Sequence, residues 1–236
     1  REALAQRVNS DPEAIVVGNG SEEMIAAIAR AVLVPGSHVV TVVPSFGLHE
    51  IEPLAAGAVV QKIPMTDDAN FDLGALERAI LDRPRLVFLS SPWNPVGPAL
   101  DVAALRRLIA AVQPGTVFVL DEAYYEFADA SLPDGIETLR SSGIAHVVLR
   151  TFSKAYGLAG LRVGYAVCSD RALARLISAA KTPFNVNGMA QLAALAALSD
   201  ESWMRASVQR LRVERERVAT ALAEMKLRVA NSQTNF

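Results

Sequence analysis

A single cysteine, Cys168, occurs among the 236 residues, so neither a disulfide framework nor a thiolate metal site can be built. It sits in LRVGYAVCS, a run that reads as a strand, and is expected to act as a small core residue in a reducing, cytoplasmic setting. Histidine is nearly as scarce. His38, His49 and His146 stand far apart, lack the spacing of metal ligands, and each reads as a loop or strand-end residue. Charge of one sign is also missing: 23 basic and 25 acidic residues leave a net charge of -2, which offers no electrostatic footing for nucleic acid. No apolar run approaches a membrane span, and the opening REALAQRVNSDPEA lacks the apolar centre of a signal peptide. No GxSxG elbow for a serine hydrolase is present. The segment GNGSEE supplies Gly18 and Gly20 but puts Glu23 where a dinucleotide fingerprint needs its third glycine. No repeat or low-complexity tract occurs.

What remains is a chain 51% hydrophobic, long enough for one large domain, or one domain with part of another. Short β-branched runs recur at 38–43 (HVVTVV), 57–63 (GAVVQKI), 85–90 (RLVFLS), 116–120 (TVFVL), 146–150 (HVVLR) and 162–167 (RVGYAV). Runs apolar on both faces suit a sheet covered on both sides. Helical spacing lies between them, as in Met24, Ile28 and Val32, or Leu105, Leu108 and Ile109. This alternation predicts an α/β fold with a mostly parallel sheet, in which ligands bind off the carboxyl ends of the strands. After residue 184 two helical stretches follow without a strand between them. In the second, Val208, Leu211, Val218, Leu222 and Met225 trace an apolar stripe, which predicts an amphipathic helix packed on the domain edge. The closing VANSQTNF begins a new segment.

The strand ends carry the chemistry. SPWNPVG follows RLVFLS, DEAYYEF follows TVFVL, and TFSKAYG follows HVVLR. Singly, each is ordinary: Asn-Pro marks a turn, and Asp-Glu often opens a loop. Jointly they answer the demands of one cofactor. A lysine that condenses with the carbonyl of pyridoxal phosphate needs a buried carboxylate for the pyridine nitrogen, which Asp121 could supply. Asn94 and Tyr124 could hold the ring oxygen. The phosphate needs hydroxyls, an arginine fork and a helix N-terminus, and Thr151, Ser153 and Arg162 surround Lys154 while GNGS opens a helix.

Taken in order along nearly the whole chain, GNGSEEMI, SPWNPVG, DEAYYEF, RTFSKAYGLAGLRVGY and NSQTNF resemble fold-type I pyridoxal-phosphate aminotransferases, specifically the histidinol-phosphate aminotransferase family. The resemblance implies a three-layer α/β/α large domain over residues 1–198 and, over 199–236, a long connecting helix with the start of a small C-terminal domain. It implies that Lys154 anchors the cofactor, Asp121 meets the pyridine nitrogen, and Tyr124 and Asn94 hold the ring oxygen. Lys154, Asp121 and Tyr124 would be the catalytic set. Thr151, Ser153 and Arg162 would bind phosphate with the backbone amides of Ser21 and Glu22, and Phe46 in VPSFGLH would stack on the ring. Amino transfer from histidinol phosphate to 2-oxoglutarate, in a homodimer, is the implied activity.

Related readings are aromatic amino-acid transamination, a phospho-amino-acid decarboxylase on the same scaffold, and a sensor that binds the cofactor without turnover. Three departures from the family pattern stand out. Trp93 and Val96 replace a small polar residue and a threonine, with altered substrate-side contacts expected. Glu22 and Glu23 put negative charge in the helix turn meant for phosphate, which is harmless only if both carboxylates point away. Finally, the family's N-terminal arm and its substrate-gripping arginine have no counterpart, so the chain reads as an internal fragment.

Overall fold

The computed structural model describes residues 1–236. Its sheet is built from β1 (Ile15–Gly18), β2 (His38–Val43), β3 (Val59–Pro64), β4 (Leu86–Ser90), β5 (Val117–Asp121), β6 (His146–Thr151) and β7 (Gly164–Cys168). They line up as one seven-stranded sheet in the order β1-β7-β6-β5-β4-β2-β3. β7 runs antiparallel to both its neighbours, β1 and β6. All the other pairings are parallel. Every residue of β4, β5, β6 and β7 is buried, as continuous apolar runs require of strands covered on both faces. β3, at the edge, exposes Gln61 and Lys62 to solvent, a common protection of an open strand.

Nine helices complete the chain: α1 (Glu2–Arg7), α2 (Gly20–Val32), α3 (Leu48–Ala55), α4 (Leu73–Leu81), α5 (Val102–Ala111), α6 (Gly135–Arg140), α7 (Arg171–Ala179), α8 (Gly188–Ser199) and α9 (Glu201–Glu224). Alternation along each central strand divides the core in two. Leu86, Phe88, Val119, Val147 and Leu149 pack with Met24, Ile25 and Ile28 of α2 and Leu173 and Ile177 of α7. Val87, Leu89, Phe118, Leu120 and Val148 point the other way, against Leu76 and Ile80 of α4 and Leu105 and Leu108 of α5. The result is the three-layer α/β/α arrangement expected from the sequence. Aspartates cap the helices that return to the sheet: Asp72, Asp101, Asp134 and Asp170 each accept backbone N–H groups from the first turn that follows. No helix is long and apolar enough to cross a membrane.

The stripe read along α9 needs correction. Met204 and Val208 are buried, but Leu211, Val218 and Met225 face solvent. Beyond Val208 the helix turns arginines inward: Arg212 and Arg215 both donate to the Phe127 carbonyl, and Arg215 also donates to that of Thr234. Unpaired carbonyls in the loop after β5 attract guanidinium groups more strongly than an apolar stripe attracts that loop.

Candidate active site

The last residues of β4, β5 and β6 open one cleft. Ser90 pairs with Asp121 across the β4–β5 register, and Thr151 closes β6, so the loops that follow rise side by side. The cleft, about 240 Å³, is lined by Ser21, Glu22, Phe46, Asn94, Asp121, Tyr124, Thr151, Ser153, Lys154 and Arg162, and in addition by Ser90 and Ala123. Every residue singled out from the sequence is thus brought to one place, from segments spread over most of the chain. A larger groove of about 790 Å³ runs between α1, β1 and α8, but it is mostly apolar and contains no carboxylate.

At the acid end, Asp121 is buried at 4% exposure and both its oxygens are engaged. Oδ1 accepts the Ala123 N–H at 3.0 Å, and Oδ2 lies 3.0 Å from Nε2 of His49, itself wholly buried. The His49 ring stacks flat on Phe88 at 5.1 Å, meets the edge of Phe46 at 5.8 Å, and has Nδ1 3.4 Å from Ser45 Oγ. An ionised Asp121 can only accept, so Nε2 must carry the proton in this pair. His49 therefore corrects the sequence reading of it as an isolated loop or strand-end histidine. A separation of 72 residues hid its partner. One signal was available: His49 lies in the first turn of α3, three residues past Phe46, and its N–H bonds back to the Phe46 carbonyl at 2.9 Å, so the turn that carries one toward the strand ends carries the other beside it. His38 and His146 do open strands, as expected. No cluster of His, Cys, Asp and Glu is arranged to hold a metal ion.

Lys154 rides a tight loop after β6. Phe152, Ala155 and Tyr156 on either side are buried, while Lys154 itself is exposed to the cleft. Phe152 N–H donates to Val163 and Leu158 N–H donates back to Phe152, each at 3.0 Å, which closes the loop around the lysine. Its Nζ stands 5.2 Å from the centre of the Tyr124 ring. Tyr124, in turn, is buried with its ring edge-on to Phe236 at 5.3 Å.

The opposite end is built for an anion. Thr151 Oγ1 donates to Ser153 Oγ at 2.9 Å and accepts the Ser153 N–H at 3.1 Å. Arg162, held in the left-handed region at φ 58°, turns its guanidinium to the same place, with Nη1 3.5 Å from Ser153 Oγ. Facing them is the start of α2, whose first turn receives no side-chain cap from Asn19, leaving its positive end open to a ligand. Glycines make this approach possible. A Cβ on Gly164 would fall 2.2 Å from the Ser21 nitrogen, and one on Gly20 would fall 2.5 Å from Arg162 Nη2.

The two glutamates of that first turn behave differently. Glu23 points away: it accepts the Asn19 N–H at 2.7 Å and bonds to Thr182 and Asn185 at 2.6 Å each. Although burial acts the other way, these donors, with Lys181 nearby, hold its carboxyl below its ordinary value. Glu22 does not point away. Its Oε2 pairs with Arg162 Nη2 at 3.1 Å at the cleft rim, so it competes for the arginine. Trp93 departs from expectation as well. It is fully buried, donates to the Pro44 carbonyl at 2.8 Å and stacks on Phe71 at 4.6 Å, so it braces the Asn94 loop from behind and does not line the cleft.

Below the cleft, an ion network ties β5 to β6. Arg150 forks onto Glu122 Oε2 at 2.9 and 2.7 Å, reaches Asp134 at 3.0 Å, and lies over the Tyr125 ring at 3.6 Å. Burial pushes the Glu122 carboxyl up to about 7 even against this guanidinium. Glu122 directly follows Asp121 and Arg150 directly precedes Thr151, so the network sets the spacing of two cleft residues. Cys168 plays no part in the chemistry, because burial pushes its thiol up to about 12.

A mostly parallel sheet with an acid, an amine, a phenol and a group of anion-binding donors over its strand ends defines an α/β domain with one polar ligand cleft. Residues 1–236 match the sequence pattern of the aminotransferase class I and II family. Histidinol-phosphate aminotransferase 3 of Rhizobium meliloti is 45% identical over 99% of this chain and 63% of its own length. An aromatic amino acid aminotransferase of Rhodococcus erythropolis is 40% identical over 100% of this chain and 65% of its own. The crystal structure of histidinol-phosphate aminotransferase from Sinorhizobium meliloti, in complex with pyridoxal-5'-phosphate, superposes with a TM-score of 0.90 at 30% identity, over 99% of this chain and 63% of that one. The chain belongs to the class I and II aminotransferases, and it spans a little under two thirds of the length of these relatives.

Proposed function

We propose that the cleft binds pyridoxal phosphate and that the chain forms the cofactor-binding part of an aminotransferase acting on histidinol phosphate and 2-oxoglutarate. The observation that carries this is the convergence, in one cleft of about 240 Å³, of an amine, a buried carboxylate, a phenol, an amide and an anion cradle. The donor set fits the group at each end. The cradle of Thr151, Ser153, Arg162 and the α2 N-terminus would take the phosphate, with Gly20 and Gly164 allowing the close approach. Tyr124 and Asn94 would hold the ring oxygen, Phe46 would cover the ring face, and Asp121 would meet the ring nitrogen.

When bound, the cofactor supplies the electron withdrawal that lets an amino-acid α-carbon release a proton. The chain supplies placement and proton movement. Asp121, oriented by its bonds to His49 and the Ala123 N–H, would accept from a proton held on the ring nitrogen. Lys154 would hold the group covalently, and its amine would move the proton at the substrate α-carbon as base and then acid. Within this reading residues 1–198 form the large domain and 199–236 lead into a second one, of a cytoplasmic homodimer.

The 45% identity to a histidinol-phosphate aminotransferase supports the first substrate class, and the 40% identity to an aromatic amino acid aminotransferase favours aromatic amino acids as the second. Amino-donor kinetics in the full-length protein separate them. A kcat/KM for histidinol phosphate at least about tenfold above that for phenylalanine is expected, because a site built for a polar group rejects an analogue lacking it. The reverse order would favour the aromatic reading. Cofactor held by Lys154 with neither donor converted would overturn both and leave a sensor.

A further inference from the structure

The tail that follows α9 contains buried polar residues with no part in the chemistry described so far: Gln233 at 7% exposure and Thr234 at 1%. Their bonds are directional. The Gln233 N–H donates to the Gly97 carbonyl at 2.7 Å. Its side chain clasps Asp129, accepting the Asp129 N–H at Oε1 and donating from Nε2 to Oδ2, both at 3.0 Å. The tail lies so close to Gly97 that a Cβ there, at φ +110°, would fall 2.8 Å from the Ser232 Cβ. Thr234 is fixed from behind, its carbonyl accepting from Arg215 at 2.8 Å.

Gly97 lies three residues past Asn94 in the connection from β4 to α5, and Asp129 lies five past Tyr124, beyond the short turn Tyr125–Phe127, in the connection from β5 to α6. One residue therefore joins the two connections that carry Asn94 and Tyr124, both of which line the cleft. We propose that Gln233 is a positioning residue that sets the distance between Asn94 and Tyr124, and hence the hydrogen bonding available to the ring oxygen of the bound cofactor. This rests on the pyridoxal phosphate reading of the cleft and extends it to a residue outside the cleft. The side-chain amide satisfies both the backbone N–H and the carboxylate of Asp129 and so fixes that residue on the tail, while the main-chain N–H of Gln233 holds Gly97; an apolar side chain would keep only the second link. The phosphate cradle lies on the other side and makes no contact with Gln233, so the two ends of the site should respond separately.

The test uses the full-length protein loaded with pyridoxal phosphate and reads two quantities: the pH midpoint of the visible absorption band of the bound cofactor, and the cofactor dissociation constant. Gln233→Ala is expected to move the midpoint by roughly 0.3–1 pH unit, in the same direction as Tyr124→Phe. The dissociation constant should change less than about threefold, since the cradle is untouched. Gln233→Glu, which sets two carboxylates together, should shift the midpoint at least as far. The exchange Asp129→Asn with Gln233→Glu keeps the bond from the main-chain N–H of residue 129 and restores the side-chain bond with donor and acceptor swapped, and should return the midpoint to the wild-type value. A midpoint unmoved in Gln233→Ala while Tyr124→Phe moves it overturns the proposal, as does a shift that the exchange fails to reverse. An absorption band absent from the unaltered protein, or surviving Lys154→Ala, would instead overturn the cofactor reading beneath it.

Discussion

His49 Nε2 lies 3.0 Å from Asp121 Oδ2, and neither side chain is open to solvent. This buried pair fixes the orientation of the carboxylate that faces the ring nitrogen in the proposed complex. It also satisfies the carboxylate: a buried oxygen left without a donor is costly and free to turn away from its guest. His49→Ala removes a hydrogen bond to a charged group worth about 1.5–3 kcal/mol. The kcat of the full-length enzyme is expected to fall roughly 10- to 100-fold by that measure. A rate unchanged within about twofold would show that Asp121 needs no histidine partner.

Glu22 competes with any bound anion for Arg162, since the two side chains pair at 3.1 Å on the cleft rim. Ion pairs this exposed are worth at most about 1 kcal/mol. Glu22→Gln should therefore tighten cofactor binding by up to about fivefold at low salt. The gain should fade as salt screens the pair. Weaker binding in Glu22→Gln would mean instead that the carboxylate holds Arg162 in its working position.

The Glu122 carboxyl carries a pH signature. Burial raises it from its ordinary 4.5 to about 7, so in that window the folded chain keeps a proton that the unfolded chain releases. More protons on the folded state means stability falls as pH rises through the window. Denaturant melts between pH 4.5 and 7 should show that decline, and Glu122→Gln should remove its share of the slope. Because Gln resembles the protonated carboxyl and Arg150 keeps Asp134 at 3.0 Å, the substitution should cost less near pH 7 than the roughly 3–5 kcal/mol of a broken buried ion pair. A slope unchanged by the substitution would assign the pH dependence to other groups.

Much of this site is legible in the sequence alone, and the reason is physical. In a parallel sheet the strand ends fall along one edge, so polar residues that directly follow apolar runs must meet there: Asn94 after β4, Asp121 at the end of β5 with Tyr124 after it, Lys154 after β6. Spacing along the chain could not reveal the pairs that depend on side-chain direction. His49 reaches Asp121 because β2 lies next to β4, which brings the start of α3 over Phe88 of β4, one strand away from the end of β5. The direction of the Glu22 carboxylate and the inward turn of Trp93 are likewise settled by neighbours remote in sequence, Arg162 and Pro44. α9 was misread for a related reason. A stripe of Leu, Val and Met predicts an apolar partner, whereas the surface beside it past Val208 offers backbone carbonyls that arginines satisfy better.

Cofactor titration followed by absorbance tests the central claim most directly. Pyridoxal phosphate added to the full-length protein should produce the visible band of lysine-bound cofactor, which survives dilution and gel filtration. Lys154→Ala should abolish that band while the Thr151, Ser153 and Arg162 cradle still retains the cofactor non-covalently, with affinity lower by about tenfold or more. A band of undiminished strength in Lys154→Ala would place the covalent anchor on another lysine and contradict the account.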